Sequence, residues 1–197
     1  MEVRPPEGTP QAGHGRRGQR ERKTAVPDVC DLVLDEHEQF RRRFADLDEQ
    51  RAAGASAEMV GRLWDPLGAL LERHADAEEE LFYPVVIEVG VHGGDETDDA
   101  VNDHNEIREA VRRAADASAG SEEWWQAVLD ARARNSDHIA EEEREAIPDL
   151  RTHLGRARRD ELGAAWLEFA DRHAGARGLS LGDTDPDSYL AEHGDDR

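Results

Sequence analysis

The sequence predicts an all-α fold, an up-down-up-down four-helix bundle with an extra C-terminal helix and a disordered N-terminal tail. Three observations predict it. Apolar residues recur at three- and four-residue spacing from about position 28 to 173, with no convincing alternating strand run. Glycines and N-cap residues punctuate that pattern at helix-length intervals. The pattern also repeats, the second half restating the first. At 197 residues the chain holds one domain with tails, and its 36% of charged residues suits slender amphipathic helices.

Residues 1–27 contain Pro5, Pro6, Pro10 and Pro27 and the basic run Arg16, Arg17, Arg20, Arg22, Lys23, and are expected to be disordered. The bundle is assigned to residues 28–155. Its first helix runs from about Asp28 to Ala52, with Val29, Val33, Phe40, Phe44 and Leu47 on one face, and Gly54 ends it. The second runs from Ser56, an N-cap, to about Tyr83; Pro66 lies inside it, where it costs a hydrogen bond or kinks the helix, unless the helix starts at Asp65 and Pro66 takes the first turn. Gly90 to Asp95 reads as a loop, and a third helix follows from about Thr97 to Ser118, closed by Gly120. Ser121 caps a fourth helix with Glu122 and Glu123 in its first turn, running to about Ile147 and resuming after Pro148. Residues 156–176 are expected to form a helix, from about Arg158 to His173, that packs across the bundle in a structural role. Residues 177–197 are Gly-rich and acidic and read as a flexible tail; Asp183, Asp185 and Asp187 do not make a calcium loop, because Ser188 and Gly194 stand where one needs Gly and Glu.

Composition excludes several classes of function. The formal charge of -21 argues against a nucleic-acid binder. Lys23 is the only lysine, so lysine chemistry is set aside, and the single cysteine, Cys30, allows neither an internal disulfide nor a cysteine metal cluster and reads as a buried structural residue. No segment approaches the ~18 apolar residues of a membrane span, and the N-terminus lacks a signal peptide's apolar core. A cytoplasmic protein without membrane or nucleic-acid partners, monomeric or weakly dimeric, is expected.

The repeat carries the chemistry. DEHEQFRRRFADL (35–47) aligns with NDHNEIREAVRRA (102–114) with His37 on His104, and HADAEEELFYP (74–84) with HIAEEEREAIP (138–148), sharing H-x-x-x-E-E and a proline ten residues past the histidine. His37 sits between Val33 and Phe40 on an apolar stripe. His74 follows Leu70 by four, and Glu78 precedes Leu81 by three. His104 lies between Val101 and Ile107, and His138 with Glu142 continues the face of Ala131. All six polar groups are expected to point inward, where unpartnered ionised carboxylates cost several kcal/mol each. A histidine and glutamate at i and i+4 lie ~6 Å apart on one helix face, within reach of one cation or of two bridged by the carboxylate. Imidazole plus carboxylate without thiolate fits iron, manganese or zinc, and bridging carboxylates between six-coordinate ions favour iron. Neither the Glu-x-x-His motif of ferritin-like bundles nor HEXXH is present.

At these residues the chain resembles the hemerythrin-like HHE cation-binding family, with its pattern H, H-x-x-x-E, H, H-x-x-x-E. The resemblance implies that His37, His74, His104 and His138 are terminal ligands and that Glu78 and Glu142 are bridging carboxylates. The implied cofactor is two iron ions with an oxo or hydroxo bridge. Oxygen-carrying hemerythrins have a further histidine one turn after the third helix's first ligand; here Arg108 stands there. Of about twelve positions around two octahedral irons, two rather than one then stay open. This implies turnover of dioxygen or hydrogen peroxide, catalase-like or ferroxidase-like, rather than reversible oxygen binding; the alternative is an iron, oxygen or redox sensor. Glu79 and Glu143 read as supporting carboxylates or extra ligands, and Tyr83 as a possible redox residue. His14, His92, His153, His173 and His193 lack repeat partners and read as surface residues.

Overall fold

The structure, a computed structural model, describes residues 27–179 and 182–194, so the expectation for residues 1–26 lies outside the described residues. The described residues are helical without a strand: α1 (Val29–Ala52), α2 (Ala57–Ala77), α3 (Tyr83–Val89), α4 (Gly93–Asp116), α5 (Glu122–Arg144), α6 (Ala146–His153), α7 (Arg156–Arg172) and α8 (Pro186–Gly194). A π-turn, Glu78–Phe82, joins α2 to α3. Four helices begin on side-chain caps: Asp28 accepts from the Asp31 amide (3.0 Å), Ser56 from Met59 (3.3 Å), Ser121 from Trp124 (3.1 Å) and Asp185 from Ser188 (3.0 Å). Gly54 (φ 68°) and Gly120 (φ 79°) take the left-handed conformation in the turns between α1 and α2 and between α4 and α5.

Each short turn pairs two antiparallel helices, α1 with α2 and α4 with α5. Contacts of α2 with α4 and of α1 with α5 close the ring. This is the expected four-helix bundle. α7 lies against α1 and α2, and α8 against α3 and α4.

Several boundaries differ from the sequence reading, for local reasons. The second helix starts at its Ser56 cap and runs through Pro66, so the start at Asp65 is not used. It also does not stop near Tyr83. Pro84 has no amide to give the Glu80 carbonyl and would crowd it; the chain widens instead, Tyr83 N–H bonding to Glu78 O five residues back, and helix continues to Val89. Pro148 disturbs the second half similarly. There α5 stops at Arg144, Glu145 (φ -123°, ψ -75°) leaves helical geometry, and α6 resumes at Ala146. α4 starts at Gly93 rather than Thr97, because Gly93 packs so close to α3 that a Cβ there would lie 2.1 Å from Val86 O. Residues 186–194, which composition assigns to a flexible tail, form α8 with Tyr189 buried. A nine-residue helix has too little length to be stable alone, and its docking on α4 supplies what composition does not show.

The apolar interior divides in two. One cluster gathers Val33, Phe82, Val86, Val101, Ile147 and Trp166; the other gathers Phe40, Leu67, Leu71, Ile107, Trp124 and Val128. His37, His74 and His104 each fall in sequence between a member of one and a member of the other, as His37 does between Val33 and Phe40; His138 lies between Ala131 and Ile139 of the second cluster, with Ala146 of the first following. The fold therefore holds a polar layer between two apolar ones. No helix among the described residues is long and apolar enough to cross a membrane.

Candidate metal centre

The six residues singled out by the repeat meet in that layer and are all buried. His37, His74, Glu78 and Glu142 form one group and Glu78, His104 and His138 another, with the ligating atoms of each group within 4.8 Å of one another. Glu78, 0% exposed, joins the two groups. Its Oε1 lies 2.9 Å from His74 Nε2, and its Oε2 lies 3.2 Å from His104 Nε2 and 3.7 Å from His138 Nε2. Glu142 behaves differently. Its Oε2 lies 3.2 Å from His37 Nε2 and 3.4 Å from His138 Nε2, while its Oε1 accepts a 2.6 Å hydrogen bond from the Tyr83 hydroxyl.

Each histidine presents Nε2 to the centre and turns Nδ1 toward a carboxylate. His37 pairs with Glu143 (3.0 Å), His74 with Glu36 (3.0 Å) and His104 with Glu79 (2.8 Å). His138 Nδ1 stands 3.9 Å from Asp103, too far for a hydrogen bond. These partners obey the duplication. Glu36 and Asp103 each precede the first histidine of their half and turn to the second; Glu79 and Glu143 each follow the glutamate of their half and reach the first histidine of the other half. Arg41 and Arg108, equivalent in the alignment, lie 2.9 Å from Glu143 and Glu79 in turn. Arg108, 1% exposed, also binds Asp76 (2.7 Å), so the position of the carriers' further histidine is filled by a paired guanidinium.

The symmetry breaks where side-chain length differs. Glu36 is additionally held by Arg73 (2.6 Å) and by Trp166 Nε1 (3.3 Å), and the Trp166 ring packs against His74 with centroids 5.6 Å apart. Asp103 is one methylene shorter. Beside it a cavity of about 240 Å³, lined by His138, Glu142 and Tyr83 within and by His92, Asp95, Glu96, Asp99 and Glu141 among others, reaches the layer.

The electrostatics are those of interlocked opposite charges. Burial pushes the Glu78 carboxyl up, but the surrounding imidazoles, His74 foremost, hold it well below the usual carboxylate range. Burial likewise lowers His74 and His104, yet the carboxylates around them, Glu78 and Glu36 for His74 and Glu78 and Glu79 for His104, lift His74 to about 10 and His104 to about 9. Burial and the neighbouring Glu142 and Glu78 raise the Tyr83 phenol well above its ordinary value, which keeps it a neutral donor.

The model of the hemerythrin HHE cation binding domain matches residues 28–150. The chain belongs to the hemerythrin HHE family. No curated protein and no solved structure matches it. The interior of this hemerythrin domain fits the cations that the family binds. Nε2 of His37 and His74, both oxygens of Glu78 and Oε2 of Glu142 are buried with no hydrogen-bond partner, and all converge on the polar layer. Unpaired buried donors and acceptors of this kind are costly, and a cation satisfies them together.

Of the further sequence candidates, Glu79 and Glu143 stand behind histidines and Tyr83 bonds to Glu142. His92 and His153 are exposed, as expected, although His92 lines the cavity. Cys30 is buried and free, and burial raises its thiol to about 11. Sequence reasoning missed Glu36, Asp103 and Trp166. The aligned repeat held a signal for the first two, an acid directly before each half's first histidine; a fifth helix outside the repeat offered none for Trp166.

Proposed function

We propose that this hemerythrin domain binds two iron ions, on His37, His74, Glu78 and Glu142 and on Glu78, His104 and His138, and reacts with hydrogen peroxide or dioxygen, by peroxide decomposition or by oxidation of ferrous iron. The observation that carries this reading is the pair of buried donor groups sharing Glu78: Nε2 of His37 and His74, both Glu78 oxygens and Glu142 Oε2 are left unpaired, and the Nε2 atoms of His104 and His138 face each other at 3.1 Å. Bound iron would supply the electrons and open coordination positions that such chemistry needs.

The chain's own residues favour turnover over carriage. The second group has one fewer donor than the first and adjoins the cavity through His138. Arg108, in place of a further histidine, is held away as a partner of Asp76 and Glu79. The carboxylates around the cavity disfavour anions and admit a neutral oxidant or a ferrous ion. The Tyr83 hydroxyl, kept protonated, lies 2.6 Å from Glu142 Oε1 and as a neutral donor fixes the orientation of that carboxylate. Trp166 and α7 close the opposite side, around His74.

Metal analysis and stopped-flow kinetics test the reading together. Two iron ions per chain and consumption of peroxide by the ferrous protein are expected. Fully reversible oxygen binding with no peroxide consumed would defeat it, as would purified chain that takes up no iron.

A further inference from the structure

The C-terminal segment that composition assigns to a tail is bonded to the support of one histidine. Thr184 Oγ1 donates to Glu79 Oε2 (2.7 Å), and Glu79 Oε1 pairs with His104 Nδ1 (2.8 Å). The Thr184 backbone is also clamped to the residue following that histidine, accepting from Asn105 Nδ2 (2.7 Å) and donating to Asn105 Oδ1 (2.9 Å). Further along, the Tyr189 hydroxyl donates to the Glu79 carbonyl (2.5 Å). Among the described residues, no such strap bonds to the support of His37. Glu143, the counterpart of Glu79, is 30% exposed on its side chain against 11% for Glu79, and is held by Arg41.

We infer that Thr184 is a positioning residue for the cation held by Glu78, His104 and His138, so that occupancy of this position and docking of residues 182–194 reinforce each other. The inference rests on the two-cation reading above. Glu79 has two oxygens and two tasks: one orients the His104 ring, and the other is fixed only while the strap is seated. Undocking frees Glu79 Oε2 and leaves the carboxylate held by Arg108 (2.9 Å) alone, so the His104 ring is oriented less firmly and so is a cation bound through it. Linkage makes the effect reciprocal, a cation on His104 favouring the docked strap. Such coupling would let the second cation's presence be read at the surface, as a sensor requires.

The test uses the full chain loaded with cobalt(II), whose visible absorption reports ligand geometry. Thr184→Val is expected to release one of two cobalt ions to a chelator about three- to tenfold faster, a smaller effect than removal of a residue that directly supports a ligand. Thr184→Ser is expected to restore the slow release and the wild-type spectrum. Hydrogen exchange of the wild-type chain should show residues 182–194 better protected with cobalt than without, which decides the matter even if the valine variant folds poorly. Two ions released alike from wild type and Thr184→Val, no rescue by serine, or exchange in the strap unchanged by cobalt overturns this inference alone. A wild-type chain that takes up no cobalt overturns both this and the reading beneath it.

Discussion

One methylene separates the two halves of the centre at the level of single residues. Glu36 reaches His74 Nδ1 at 3.0 Å, whereas its counterpart Asp103 stays 3.9 Å from His138 Nδ1, beyond hydrogen-bond reach, and borders the cavity. Asp103→Glu is therefore expected to close that gap, slowing metal release from the His138 side about tenfold, the lower end of what such supporting partners contribute. It should also narrow the cavity and lower the second-order rate with peroxide; unchanged release and unchanged rate would show that Asp103 has no hold on His138. Protonation gives a second check. With His74 at about 10 and His104 at about 9, both are cationic in the metal-free protein at neutral pH, and ligation must displace their protons. Loading with ferrous iron at pH 7.5 should thus release about two protons per chain, measurable with an indicator dye in weak buffer, and affinity should rise with pH until about 9 to 10. The six central residues were legible because buried charge on an apolar stripe has few uses and the repeat showed it twice. Their supports were less legible, since Glu36 looks like any helix-surface acid until the fold turns it onto His74.

Elements outside the bundle do more than cover it. α7 seats Trp166 against His74 and meets the start of α1 at Gly163, where a Cβ would stand 2.1 Å from the Pro27 carbonyl oxygen. Gly163→Ala must push α7 away from α1, at about 1–3 kcal/mol for an overpacked contact. A lowered melting temperature with red-shifted tryptophan emission is expected, and an alanine variant as stable as wild type would mean that α7 shifts without strain. The main helices and their caps could be read directly, since periodicity and Ser or Asp caps are local signals. The π-turn, the break at Glu145, the early start of α4 and the docking of α8 could not, because each depends on how a proline or glycine meets a neighbouring element. The expected structural role of the fifth helix leaves out its contact with the centre.

Across the whole molecule, the polar layer is flanked by two apolar clusters built from side chains outside the six central residues. In the metal-free protein the carboxylate of Glu78 is balanced by imidazolium groups, His74 and His104 being raised well above neutrality. Chelation at neutral pH should then leave the helices in place. It removes only the binding contribution, about 2.7 kcal/mol for each of the two cations at a free metal concentration one hundred times its Kd, together worth roughly 10–20 °C in melting temperature for a chain of this size. Alkaline pH is different. A histidine whose folded pKa lies above its unfolded value contributes stability that is complete below about pH 6.5 and is lost as pH rises through 9 to 10. Beyond that range the metal-free layer holds carboxylates with no cation of either kind. Circular dichroism melts of the chelated protein should therefore fall steeply between pH 8 and about 10, while the loaded protein, its imidazoles already neutral on metal, should change little there. Parallel pH profiles for the two forms would show that protons do not stand in for metal in this layer.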